Sequence, residues 1–502
     1  MEFIKALQKS LIKHAEREAF CINNVFYTYS DFNLEISKIR VAIQNNTKKT
    51  DTLIGLVTND DIYTYASIVA LWLEGKAYVP VNPEVPLDRN THILQSINTH
   101  FIIDSSKISN YNNLNLTVIN PTEGEIPCKI NLCPVANIHS EDLAYILFTS
   151  GSTGVPKGVS ITFKNVNGFV NAINEDPGFE LMPTDKCLQM FELTFDMSVV
   201  SYLMPLLSGA SIYTIPSKAI KYFQVYKLLK EYKLTVLTLV ASIIHYLRPY
   251  FKEINETQVR YCSFAGGALH DDIASEWSDC IPNSKIYNYY GPTETTIYSG
   301  FYLYEKQNNT KAHNGIISIG KPMGDLKYMV VNENNEEVPL KTTGELCISG
   351  SQVTPGYWNN PELNNTVFFS VDDNGTPLIY YKTGDLCFKD HEGDYLYVGR
   401  ADFQVKIRGY RVELSEIEFH AKVKAPIKVN MVAIDIENNL GNAELGLAIE
   451  STPFNTDEIF EYMKTKLPNY MIPMHVEFIK EFPHSINGKI DRKALRTHFK
   501  IN

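Results

Sequence analysis

A basic excess is missing from these 502 residues: 46 Lys and Arg face 57 Asp and Glu, for a net charge of −11. Gripping nucleic acid through its phosphates needs a basic face, so general nucleic-acid binding is excluded as a function class. Cysteine is sparse and unordered, and the eight residues (21, 128, 133, 187, 262, 280, 347 and 387) include no CxxC pair. In a chain this long, that scatter predicts reduced thiols in a cytoplasmic protein, neither a disulfide frame nor a zinc site. No uninterrupted apolar core opens the chain as a signal peptide would. Instead Phe3, Ile4, Leu7, Leu11 and Ile12 recur at helical spacing among Glu and Lys, which predicts an amphipathic surface helix. One uncharged run, 197–216, has membrane-spanning length. It holds Pro205, Ser208 and Gly209 and ends in a strand-like Ser-Ile-Tyr-Thr-Ile, so the expectation is a buried helix, a turn and a strand, with no membrane insertion.

What is present is enough apolar material for a large core, 44% hydrophobic against 21% charged, in a length that suits about three folding units. Short β-rich runs (LIGLVT, AYVPV, HFIID, AYILFTS, KCLQMF, SIYTI, LTVLTL, YCSFAGG, KIYNYYG) alternate with helical stretches. That alternation predicts an α/β fold of stacked, largely parallel sheets. From about Gly315 the texture shifts to short strands joined by Asn-, Asp- and Gly-rich turns, a β-rich lobe. After Arg400 comes a compact tail with its own alternation, closing on a locally basic stretch, Lys489–Lys500. That stretch reads as a solvated helix face or as a contact for an acidic partner protein.

The most informative segment is Tyr145–Gly158, an apolar strand running into Thr149, Ser150, Gly151, Ser152, Thr153 and Gly154, then Lys157 and Gly158. Glycines let a backbone approach an anion, hydroxyls and amides donate to phosphate oxygens, and a lysine adds charge. The glycine spacing does not fit the nucleoside-triphosphatase loop, whose Lys precedes Ser or Thr. A flexible Gly/Ser loop without ligand is the plain alternative.

This string resembles the signature of the adenylate-forming superfamily, which includes nonribosomal peptide synthetase adenylation domains, acyl-CoA synthetases and luciferases. The resemblance runs through nearly the whole chain in order: Ala77–Pro83, Asn288–Thr296 (Asn-Tyr-Tyr-Gly-Pro-Thr-Glu-Thr-Thr), Gly344–Gly350, Tyr381–Asp385, Gly399–Leu414, Leu467–Pro473 and Asn487–Lys493. It implies a large N-terminal adenylation core, residues 1–401, and a small mobile α+β C-terminal domain, residues 402–502, hinged at Asp402. It also implies ATP and Mg²⁺. Tyr290 would stack on adenine and Asn288 would read a base edge. Asp385 would accept the ribose hydroxyls, with Arg400 nearby. Glu294 would hold the metal, Thr295 would touch the α-phosphate, and Lys489 would be the catalytic lysine where carboxylate and α-phosphate meet. Each of these residues also has an ordinary reading, as a turn residue or a surface lysine.

Asp196, just before the apolar run, reads either as a helix N-cap or as the partner of a substrate α-ammonium, the role the resemblance implies. The side-chain pocket implied around it is Met197, Val200, Thr238, Ser263, Ala265, Tyr289, Ile297 and Tyr298. Met and two Tyr there suggest a shallow pocket for a small side chain, or, through the tyrosine hydroxyls, a polar one. The chain runs 13 residues past Lys489 without a Gly-Gly-x-Ser phosphopantetheine site, so the expectation is a freestanding ligase serving a separate carrier protein. The nearest resemblance is to D-alanine–carrier protein ligase, from which Ala265 departs, that family having Cys there. A freestanding adenylation enzyme for another amino acid, an acyl- or aryl-CoA ligase and a non-catalytic nucleotide-binding regulator are the competing readings. Dependence on Asp196 separates the amino-acid enzymes from the CoA ligases.

Overall fold

The computed structural model describes residues 2–499 apart from 124–126, 128, 151–155, 177, 217, 307–309, 374, 402, 403, 427, 428 and 484–489. All nine β-rich runs of the large lobe form strands. Five of them belong to a nine-stranded sheet, in which Lys285–Tyr290, Tyr261–Phe264, Val236–Leu239, Lys186–Gln189, Ser211–Thr214 and Glu18–Ile22 lie parallel in that order. The other four, with Thr117–Ile119 and Lys157–Thr162, build a six-stranded sheet, parallel except where Leu143–Thr149 pairs antiparallel with Lys157–Thr162. Between those two strands runs the Gly- and Ser-rich segment expected to hold phosphate.

Helices Ile62–Leu73 and Met197–Ser208 are apolar on nearly every side and buried almost throughout, because layers of structure cover both of their faces. Trp72 lies 6.2 Å from the Tyr202 ring, and the Tyr202 hydroxyl meets that of Tyr78, which belongs to the six-stranded sheet, at 3.0 Å. The uncharged run 197–216 resolves into that helix, Gly209 at φ 75° and strand Ser211–Thr214. Among the described residues no helix is long and apolar enough to cross a membrane. Helix Glu2–Lys13 buries Phe3, Ile4, Leu7 and Leu11, but Ile12, expected on the same face, is 59% exposed. Ile12 follows Leu11 directly, and one residue is a 100° step around the helix.

The β-rich region is a five-stranded antiparallel sheet built on Gly344–Ser349 and the long strand Thr376–Lys389. The tail after Arg400 has two apolar clusters of its own, which draw only on residues from Val405 onward. Its three-stranded sheet is flanked by helices Leu414–Val423, Asp457–Lys466 and Arg492–Arg496. The architecture is the expected mixed α/β one, with a large N-terminal part and β-rich sheets.

One hairpin of the tail, strands Gln404–Ile407 and Tyr410–Glu413, reaches into the large lobe. Its two-residue turn has Arg408 at φ 53° and Gly409 at φ 87°, the pattern of a tight hairpin turn matched to strand twist. Gly409 also sits so close to Val240 that an added Cβ would lie 2.6 Å from a Val240 methyl. Around it the tail is held by Arg89–Glu416 and Asp88–Lys466 ion pairs, each at 2.6 Å. Tyr410 stacks on Tyr470 at 3.9 Å and meets Phe195 edge-on at 4.7 Å.

Candidate active site

Two cavities of about 610 and 670 Å³ flank the hairpin tip and share Tyr290, Asp385, Arg400 and Lys406 in their walls. They lie beyond the carboxyl ends of the parallel strands, where open α/β sheets bind ligands.

Glu294 sits on a short turn, Thr293–Thr295, just past strand Lys285–Tyr290, and is completely buried. Burial alone would raise its carboxyl pKa. Arg411, Lys157 and the Tyr357 hydroxyl overturn that and hold it near 2, so the group is an anion. The next residues, Thr296 and Ile297, have φ of 57° and 74°, strained for β-branched side chains. Buried Gln352 over-determines this turn by donating to the carbonyls of Tyr298 at 2.6 Å and Thr295 at 3.2 Å, while Thr296 donates to the Gln352 carbonyl. Thr295 is buried and its hydroxyl donates to the Pro292 carbonyl.

On the nucleotide side, Asp385 accepts from the Tyr290 hydroxyl at 2.5 Å and pairs with Arg400 at 2.7 Å. The three residues expected around ribose and adenine are therefore together, with the Tyr290 hydroxyl on one carboxylate oxygen. Asn288 donates its amide to the carbonyls of Ile317 and Ser318, which leaves its oxygen as the group for a ligand. Of the phosphate loop, Thr149 and Ser150 are described. The Ser150 hydroxyl donates to the Arg411 carbonyl at 3.0 Å and accepts from the Glu413 amide, and Lys157 lies 3.4 Å from the Glu413 carboxylate. Gly151, Ser152, Thr153, Gly154, Asp402 and Lys489 lie outside the described residues.

Asp196 heads helix Met197–Ser208 and makes no side-chain capping bond, so capping does not account for it. It opens onto the 610 Å³ cavity with Met197, Ala265 and Ile297. Burial raises its pKa to about 6; Thr293, the Met197 amide and Lys406 oppose the rise and Glu294 adds to it. The remaining pocket residues (Val200, Thr238, Ser263, Tyr289 and Tyr298) line a separate void of about 20 Å³, room for a single water. The Tyr289 and Tyr298 rings stack at 4.3 Å and fill the rest.

Sequence reasoning assigned no role to Arg411, Lys406, Tyr357 or Gln352. The first two stood in the recognised run Gly399–Leu414, so position could have flagged them. Nothing in the sequence marks Tyr357 or Gln352, whose role comes only from contact with the Glu294 turn. A hard divalent cation prefers carboxylate and phosphate oxygens. An ionised Glu294 fits that preference, and among the described residues no group of three acidic, His or Cys side chains could hold a metal.

The family model for "AMP-binding enzyme" matches residues 7–358. Tyrocidine synthase 1 of Brevibacillus parabrevis is 31% identical over 96% of this chain, and gramicidin S synthase 1 of Brevibacillus brevis is 30% identical over 97%. The chain spans 43% and 44% of those two proteins, less than half of either. Among solved structures, the Vibrio cholerae adenylation domain AlmE in complex with glycyl-adenosine-5'-phosphate superposes with a TM-score of 0.85 at 24% identity, covering 99% of this chain and 97% of that one. The chain belongs to the AMP-binding enzymes and has the fold of their adenylation domains.

Proposed function

We propose that this chain activates a small amino acid as its aminoacyl-adenylate and passes the acyl group to the phosphopantetheine thiol of a separate carrier protein. One observation carries the reading: a carboxylate, Asp196, that opens with Met197, Ala265 and Ile297 onto the 610 Å³ cavity, makes no side-chain capping bond and has its pKa pushed up to about 6 by burial. Such a group is costly to keep charged unless a cation joins it, and an α-ammonium is that cation. Fatty acyl and aryl acids offer none.

The stacked Tyr289 and Tyr298 rings and the void of about 20 Å³ beside them support a small side chain. D-alanine is the lead candidate, taken from the resemblance to D-alanine–carrier protein ligase. ATP is the co-substrate, with adenine beside Tyr290 and Asn288, ribose at Asp385 and Arg400, and phosphates along 149–157. Magnesium would be held by Glu294 together with phosphate and would neutralise charge there. Lys489 would sit between the substrate carboxylate and the α-phosphate, where negative charge grows during attack. Residues 1–401 and 402–502 would act as two bodies hinged at Asp402.

The test is ATP–pyrophosphate exchange with glycine, both alanines, both serines, valine and phenylalanine. Exchange is expected with a small amino acid and not with valine or phenylalanine. Absence of amino-acid-dependent exchange in folded protein overturns the proposal.

A further inference from the structure

The stretch 351–358 belongs to no helix or sheet strand, yet hydrogen bonds fix it on two sides. Towards the nine-stranded sheet it grips the turn that follows Lys285–Tyr290. Gln352 donates to the Thr295 and Tyr298 carbonyls, and the Thr354 amide donates to the Glu294 carbonyl at 2.8 Å. Towards the six-stranded sheet it grips strand Lys157–Thr162. There the Trp358 amide donates to the Gly158 carbonyl at 2.7 Å, the Ser160 amide to the Gly356 carbonyl at 3.3 Å, and the Thr354 hydroxyl to the Ser160 carbonyl. Asn165, on the helix after that strand, donates to the Ser351 and Val353 carbonyls at 2.8 and 3.0 Å. The stretch is a brace between the two sheets, and one of its anchors carries Glu294, the other Lys157.

Tyr357 lies on this brace, is buried and touches both residues. Its hydroxyl donates to one oxygen of the Glu294 carboxylate at 2.5 Å, and the Lys157 ammonium sits 5.5 Å from the centre of its ring. We infer that Tyr357 is a positioning residue for the adenylation reaction: its hydroxyl holds the Glu294 carboxylate in one orientation for the metal, and its ring keeps the Lys157 ammonium off that carboxylate and open to phosphate. The inference rests on the proposed reaction and adds how its metal and phosphate groups are kept apart. Lys157 is close enough to help keep Glu294 ionised. A carboxylate and an ammonium that near in a dry site would otherwise close into a direct pair, and each would be lost to its ligand. A phenol suits the task. It is neutral, so it fixes one carboxylate oxygen without cancelling the charge, and its ring face attracts a cation without occupying the cation's hydrogens. Because the brace is tied to both sheets, the two contacts are set together.

Tyr357→Phe keeps the ring and deletes the donor, whereas Tyr357→Leu deletes both. Binding is read without turnover, using α,β-methylene-ATP, whose carbon bridge blocks release of pyrophosphate. Manganese serves as the probe metal, its free concentration followed by electron paramagnetic resonance, and binding of the analogue in EDTA is followed by calorimetry. Tyr357→Phe is expected to bind manganese beside the analogue about tenfold more weakly, the usual cost of losing a group that orients a metal ligand, with metal-free analogue binding within about twofold of wild type. Tyr357→Leu should show the same loss and also weaken the analogue in EDTA about three- to fivefold, because Lys157 is then drawn onto Glu294. In exchange assays of Tyr357→Phe, the magnesium activation constant should rise about tenfold while the amino-acid KM stays within about twofold, a split that general loosening of the fold does not produce. Tryptophan fluorescence confirms that each variant is folded, and the phenylalanine variant decides alone where the leucine variant is not. Manganese binding in Tyr357→Phe equal to wild type, or metal-free analogue binding and amino-acid KM that worsen as much as metal binding, overturns the inference. Wild-type exchange with unaltered manganese binding in the variant refutes the positioning role alone, while absence of exchange refutes the functional reading and this inference with it.

Discussion

Replacing Asp196 by Asn removes a charge that the ligand-free fold holds at a cost. An ordinary aspartate titrates near about 3.9, whereas burial moves this one to about 6. At about 1.4 kcal/mol per pH unit the difference is worth about 3 kcal/mol, and water in the open cavity brings it nearer to about 2. The sign follows from linkage. A carboxyl whose pKa is raised on folding costs nothing below about pH 4, where both states are protonated; the cost grows as the pH rises and is complete above about pH 6. Asp196→Asn should therefore unfold with wild-type stability at pH 4 and be about 2–3 kcal/mol more stable at pH 7.5. All three tryptophans (72, 277 and 358) precede residue 402, so fluorescence-detected urea unfolding reports the part of the chain that contains Asp196.

The same substitution should lower exchange kcat/KM for the amino acid by about 10²-fold or more, because the substrate ammonium loses its buried counter-charge. Gain of stability with loss of activity is the signature of a group retained for binding. A variant that is no more stable at pH 7.5 than wild type, or that still exchanges with wild-type KM, would show that the carboxylate is not held in waiting for a cation.

In wild-type protein, the amino-acid KM should rise as pH falls through about 6, since only ionised Asp196 attracts the ammonium; a KM flat from pH 5 to 8 contradicts the assignment. Tyr298→Ala should open the filled space behind the pocket and let valine or leucine drive exchange, at about 3–5 kcal/mol of stability in a urea titration. Lys489→Ala should slow aminoacyl-adenylate formation about 10²–10³-fold in a single-turnover assay while leaving ATP affinity within about threefold.

The strands of the two parallel sheets were legible because fully buried strands read as short continuous apolar runs set off by turn residues. The stretch 197–216 was legible for a related reason. Its Pro and Gly punctuate a run that a membrane span would leave intact, and Gly209 supplies the left-handed residue that ends the helix. Ile12 was misplaced because spacing assigns a face only to within one step of the helix. The motif residues were legible as a set, and the fold places Asp196, Tyr290, Asp385 and Arg400 in the walls of one cavity, with Glu294 beside Arg411.

What the sequence could not carry is which partner each charge takes. Glu294 and Arg411 are 117 positions apart, and no local pattern ties a carboxylate on one turn to a guanidinium on a distant hairpin. The consequence reaches past this pair. A buried anion must always be matched, so whatever binds Glu294 competes with whatever else could bind it. Here the match comes from Arg411, 2.7 Å away on the hairpin of the tail. Reading Glu294 only from its own motif therefore misses half of the pair; the other half, Arg411, becomes visible only in the fold.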